Sequence, residues 1–225
     1  DADGDTLTYS ISGSDITINS STGVIAFNSS PDYETQNSYS ATVTVSDGSL
    51  QVTQDITVNV TDVNEPPTFT TSASFSVDEN QTDIGTVEAT DVDSDDLTYS
   101  ISGSDITINS STGVIAFASA PDYETTTSYS ATVTVSDGFN TVTQDITVSI
   151  NNLNDNAPVF TSSQTFSAAE NQTAIGTVIT TDADGSTITY SVLGQDKDHI
   201  SINSSSGVLT FNSAPDYESE DTYFI

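Results

Sequence analysis

Apolar and polar residues alternate along much of this chain. Between 128 and 136, Tyr129, Ala131, Val133 and Val135 fall on one face of an extended segment, with Ser and Thr between them. Val142, Ile146, Val148 and Ile150 repeat the arrangement over the next run. A period of two is that of a half-buried β-strand. Asp137-Gly138 separates the two runs and is a dipeptide that favours a hairpin. The same reading predicts strands at about 68–77, 84–90, 97–102, 105–109, 113–117, 128–136 and 141–150, and no helix. Seven short strands in about 90 residues predict an all-β fold, an immunoglobulin-like Greek-key β-sandwich.

The pattern repeats. YSISGSDITINSSTGVIAF at 9–27 recurs unchanged at 99–117, and a diverged copy runs from 190 to 211. YSATVTVSDG occurs at 39–48 and again at 129–138. A period of about 90 residues is too long for solenoid or propeller repeats, so each unit is expected to fold as its own domain, with the units arranged end to end. The expected limits are 1–65, 66–156 and 157–225, the first unit lacking its N-terminal part and the third its C-terminal part. The chain then reads as a stretch of a longer array, with any targeting segment upstream.

Composition narrows the chemistry. Asp and Glu number 33 against a single basic residue, Lys197, for a formal net charge of -32. Such a surface repels the nucleic-acid backbone, which excludes a nucleic-acid partner. It also destabilises the folded chain by self-repulsion unless salt screens it or cations bind it. An evenly acidic, soluble surface would have the same composition, so the placement of the carboxylates has to decide. With 0 Cys there is no disulfide framework and no thiol chemistry. No apolar run is long enough to span a bilayer, so any membrane attachment would come through distant segments.

The acidic residues recur at fixed places. The middle unit carries Val77-Asp78-Glu79-Asn80, Asp91-Val92-Asp93, Pro121-Asp122-Tyr123-Glu124, Ser136-Asp137-Gly138 and Asn152-Leu153-Asn154-Asp155-Asn156-Ala157-Pro158, in that order. Singly, each is also compatible with an Asx turn, a hairpin or a loop start. Together the ordered set resembles the xEN, DxD, LDRE-type, xDxG and DxNDNAP motifs of cadherin repeats. The resemblance implies calcium bound between successive units, with ligands from the lower unit, the linker and the upper unit. At the first junction it implies Asp32, Glu34, Asp62, Asn64 and Glu65 from below, with Asp91, Asp93 and Asp137 from above. At the second it implies Glu79, Asp122, Glu124, Asn152, Asn154, Asp155 and Asn156, with Asp182 and Asp184. Glu170, Asp216 and Glu218 would face a following unit, and Asp1, Asp3 and Asp47 a preceding one. The donor chemistry agrees, because calcium takes 6–8 oxygen ligands, more than one loop presents. Asn152 stands where the first junction has Asp62, and the first linker lacks a counterpart of the second Asn.

An enzyme would have only these repeated carboxylates to work with, and their recurrence in every unit points to architecture. His199 occurs only in the third copy, beside Lys197 and Asp198 in a three-residue insertion, and reads as loop variation. The resemblance and the near-identity of neighbouring units, a habit of giant bacterial surface proteins, imply an extracellular spacer or stalk in a large cell-surface adhesin. Its partners would be flanking repeats of the same chain. The other readings are repeats that bind surface glycans or a second copy, and a subunit of an extracellular fibre.

Overall fold

The computed structural model describes residues 2–225, so Asp1 lies outside the described residues. All regular structure among them is β. The first unit holds β1 (Thr8–Ile11), β2 (Ile16–Ile18), β3 (Ile25–Phe27), β4 (Ser38–Ser46) and β5 (Gln51–Asn59). The middle unit holds β6 (Thr68–Phe69), β7 (Ser74–Asp78), β8 (Asp83–Thr86), β9 (Ala89–Thr90), β10 (Thr98–Ile101), β11 (Ile106–Ile108), β12 (Val114–Phe117), β13 (Ser128–Ser136) and β14 (Thr141–Asn151). The third holds β15 (Val159–Phe160), β16 (Ala174–Thr177), β17 (Thr180–Thr181), β18 (Ile200–Ile202) and β19 (Val208–Phe211).

In the middle unit one sheet runs β10-β13-β14-β7 and the facing sheet β11-β12-β8, with β6-β9 as a short third ladder. The alternation read from sequence fills the space between the two main sheets. Val133, Val135, Ile146, Val148 and Ile150 face Val87, Ile106, Ile115 and Phe117 in one buried cluster. Phe117 and Tyr129 meet edge to face with centroids 4.9 Å apart, and Phe27 with Tyr39 and Phe211 with Tyr223 repeat the pair in the other units.

The first two expected strands are each broken in two. β6 pairs antiparallel with β9, whereas β7 pairs in parallel with β14, so the segment from 68 to 78 leaves one ladder and joins another. The hairpin at Asp137-Gly138 is also wider than a two-residue turn. Ser136 pairs with Thr141, and residues 137–140 form the loop, because Asp137 Oδ1 accepts the N–H of Phe139 (2.7 Å) and of Asn140.

Tight crossings fix the remaining turns. Asn109 Oδ1 accepts the N–H groups of Ser111 and Thr112, both at 3.0 Å, and turns the chain from β11 into β12. Gly113 follows at φ 69, and a Cβ there would stand 2.1 Å from the Val87 carbonyl oxygen. Only glycine fits both conditions. The first unit has the same hairpin but, among the described residues, no counterparts of β7 and β8 against it, and Ile25 is 43% exposed where its equivalent Ile115 is 0% exposed.

Candidate metal centre

The carboxylates gather where one unit meets the next. Glu79 follows β7 and is only 2% exposed. Its Oε2 accepts the Tyr123 N–H and its Oε1 the Leu153 N–H, both at 2.7 Å, so one side chain ties the 121–124 loop to the linker. Asn80, at φ 65, turns the chain there, and its amide donates to Asp155. Glu79, Glu124 and Asp155 then each offer an oxygen within 4.8 Å of the others. Asp122 orders the same loop, its Oδ1 accepting the Glu124 N–H (3.0 Å) and its Oδ2 the Thr125 hydroxyl (2.9 Å).

The third unit reaches this group through Asp184. Its Oδ2 accepts the Asn156 N–H (2.8 Å) and its Oδ1 the Asn156 amide (2.9 Å), and that amide also lies 3.2 Å from Glu124 Oε2. Asn152 donates to the Asp184 carbonyl (3.1 Å), and Asn154 Oδ1 accepts the Ser186 hydroxyl (2.7 Å). Asp182 Oδ1 accepts the Ser186 N–H at 3.1 Å. The Asn156 amide holds the Asp184 carboxyl below the usual carboxylate range. Desolvation pushes the Glu124 carboxyl up, against its own backbone hydrogen bond, and the charge of Glu79 adds to the rise.

At the first junction Glu34, Glu65 and Asp93 each bring an oxygen within 4.8 Å of the others, and so do Asp91, Asp93 and Asp95. Asp93 Oδ2 accepts the Glu65 N–H (2.8 Å), and Asp91 Oδ1 accepts the Asp93 N–H (2.9 Å). Asn64 donates to Asp137 Oδ2 at 2.9 Å. Desolvation works against the charge of Asp137, but the Asn140 N–H, the Asn64 amide and the Phe139 N–H hold its carboxyl below its ordinary value. Glu65 is pushed up, by desolvation first and then by Asp93, Asp62, Asp32 and Asp91. An internal backbone hydrogen bond pulls Glu34 down, yet desolvation and the charges of Glu65, Asp93 and Asp62 leave it raised. Asp32 stays low because the Thr35 hydroxyl and N–H donate to it.

Asp91 Oδ2 and Asp93 Oδ1 are shielded from solvent and accept from nothing. Buried polar atoms are normally satisfied, and an orphaned carboxylate oxygen beside other carboxylates calls for a cation. The donors around it are all oxygens, which suits a hard ion such as calcium and not a soft one.

At the far end Glu170, Asp216 and Glu218 form another such group, with Glu170 accepting the Tyr217 N–H at 3.3 Å. Asp3 and Asp47 join no group of three among the described residues; Asp47 Oδ1 accepts the Ser49 and Leu50 N–H groups, both at 2.7 Å. The sequence reading named neither Asp95 nor Ser186, and Asn80 only within its motif and not as a site residue. The Asp-x-Asp-x-Asp spacing of 91–95 was the signal for the first, since calcium loops place ligands at such alternate positions.

Residues 73–151 match the cadherin domain model. Mouse cadherin-related family member 2 is 36% identical over 149 residues, 63% of this chain and 10% of the relative. Human protocadherin Fat 4 is 31% identical over 233 residues, 92% of this chain and 5% of the relative. The chain thus spans a tenth or less of the length of these relatives. Among solved structures, mouse cadherin-23 EC22-24 superposes with a TM-score of 0.69 at 27% identity, covering 95% of this chain and 77% of that one. A cis-dimer of protocadherin gammaB7 EC3-6 gives a TM-score of 0.72 at 26% identity, covering 93% and 59%.

The fold is therefore that of cadherin extracellular domains, Greek-key β-sandwiches in tandem. The chain consists of cadherin-like repeats, extracellular modules of cell-surface adhesion proteins, and cadherin domains are generally calcium-binding and not enzymes.

Proposed function

We propose that this chain is a calcium-rigidified spacer in a large surface adhesin of the duplicated, bacterial kind, built from units at 1–65, 66–156 and 157–225. The observation that carries the reading is the pair of orphaned oxygens on Asp91 and Asp93, in a loop whose Asp93 is grouped with Glu34 and Glu65 of the unit below. Asp32, Glu34, Asp62, Asn64 and Glu65 would hold calcium from below, and Asp91, Asp93 and Asp137 from above. At the second junction Glu79, Asp122, Glu124, Asn152, Asn154, Asp155 and Asn156 would do so, with Asp182 and Asp184; Glu170, Asp216 and Glu218 would serve a following unit.

Calcium, when bound, supplies the positive charge that lets these carboxylates sit together. The chain's own residues prepare the arrangement. Glu79 fixes the loop and the linker through two backbone N–H groups, and Asn64 and Asn156 bring the linkers against Asp137 and Asp184. The apolar clusters lie between the sheets, away from these groups, so stiffness and folding are separable.

The test is small-angle scattering of the chain with calcium and with chelator, beside circular dichroism. An extended particle that becomes flexible on chelation, with its β signal kept, is expected. A particle equally straight in chelator would sink the reading. Contact with a second copy is a further part of the proposal, supported by the cis-dimer form of the protocadherin gammaB7 relative.

A further inference from the structure

The first junction holds a carboxylate that the motif set leaves out. Asp91, Asp93 and Asp95 lie at alternate positions of one loop, each half-buried, and each offers an oxygen within 4.8 Å of the others. Ser94, between the last two, is held at φ 66, a left-handed conformation that non-glycine residues rarely adopt. Gly4 (φ 79) and Gly185 (φ 72) take the same place in the neighbouring units, so the turn belongs to the loop and does not depend on Ser94. It brings Asp95 back beside Asp91 and Asp93.

The second junction supplies the contrast. Ser186 stands where the middle unit has Asp95, and its N–H satisfies Asp182 Oδ1 at 3.1 Å while its hydroxyl donates to Asn154 at 2.7 Å. Asn156 fills both oxygens of Asp184 with hydrogen bonds at 2.8 and 2.9 Å. The first linker has no such Asn, and there Glu65 gives Asp93 Oδ2 one N–H and leaves Asp93 Oδ1 orphaned, as Asp91 Oδ2 is. One junction is closed by amides and a hydroxyl, and the other carries unpaired buried oxygens.

We propose that Asp95 is a further calcium ligand, the last of an Asp-x-Asp-x-Asp loop at the first junction, and that Ser186 in its place makes the second junction the weaker site. The proposal rests on the calcium reading above, and the number of carboxylates is the property that tunes affinity in such loops.

Isothermal titration of calcium into the 225-residue chain, Asp95→Asn, Ser186→Asp and Glu124→Ala tests it. Two classes are expected in the parent chain, the weaker one lost in Glu124→Ala. Asp95→Asn should raise the Kd of the tighter class about tenfold, and Ser186→Asp should tighten the weaker class by a similar factor. Thermal unfolding separates ligation from a merely structural role. Asp95→Asn should lower the midpoint in calcium but not in chelator, where it removes a repelling charge. Unchanged titrations in Asp95→Asn, or a lowered midpoint in chelator, overturn the proposal and leave the calcium reading standing. A parent chain that takes up no calcium overturns both.

Discussion

Asn64 and Asp137 stand 73 positions apart, one in a linker and the other in the β13–β14 loop, and the Asn64 amide donates to Asp137 Oδ2 at 2.9 Å. The carboxylate thus serves two purposes. Oδ1 caps its own loop and Oδ2 holds the preceding linker, so the shape of one hairpin and the seating of the unit below depend on one side chain.

Asn64→Ala removes the donor and leaves the hairpin cap in place. In chelator, amide exchange at Glu65, whose N–H is held by Asp93, should speed up by about tenfold, while exchange at Phe139 should hardly change. Equal acceleration at both would show that Oδ1 and Oδ2 are not separable.

Glu124→Ala and Asp105→Ala remove one carboxylate each from the middle unit, but only Glu124 lies in an acidic group. Calcium uptake at the second junction should fall for the first and stay at the parent level for the second. Calorimetry with equal losses in both variants would mean that overall charge, and not the position of the group, governs binding.

Gly113→Ala places a methyl group 2.1 Å from the Val87 carbonyl oxygen at a residue with φ 69. Backbone strain of this kind costs about 1–3 kcal/mol, and the contact adds to it. Gly103→Ala has a comparable φ of 90 but nothing within 4 Å. Urea unfolding should show the larger loss for Gly113→Ala.

Phe117→Ala empties a site that is 4% exposed inside the middle sandwich, and a loss of about 3–5 kcal/mol is expected. Phe27, its equivalent in the first unit, is only half-buried. The same substitution there should cost clearly less in the same denaturant series.

The alternation of Val133, Val135, Ile146 and Val148 was enough to read the two long strands, because those residues face a single core along their whole length. It could not show that 68–78 divides into β6 and β7. A strand that changes partners keeps its period of two, and the break depends on β9 and β14, which are distant in sequence. The acidic positions were legible because they recur in each unit. Their grouping was not, since Asn80 meets Asp155 across 75 positions of the folded middle unit, Ser186 meets Asn154 only where two units join, and the turn that gathers Asp95 with Asp91 and Asp93 is a matter of backbone conformation. The wide loop at 137–140 escaped for a related reason: a side-chain carboxylate takes up the Phe139 and Asn140 N–H groups.

The parallel pairing of β7 with β14 has a mechanical consequence. β7 comes early in the middle unit and β14 ends it, and five residue pairs from Thr147↔Ser74 to Asn151↔Asp78 join them side by side, pointing the same way. A pull applied through the linkers draws β7 backwards and β14 forwards, along their common axis. The ladder is then loaded in shear, so its hydrogen bonds share the load and none can open by peeling from one end. Tension along the middle unit is thus carried by a backbone ladder inside one sandwich.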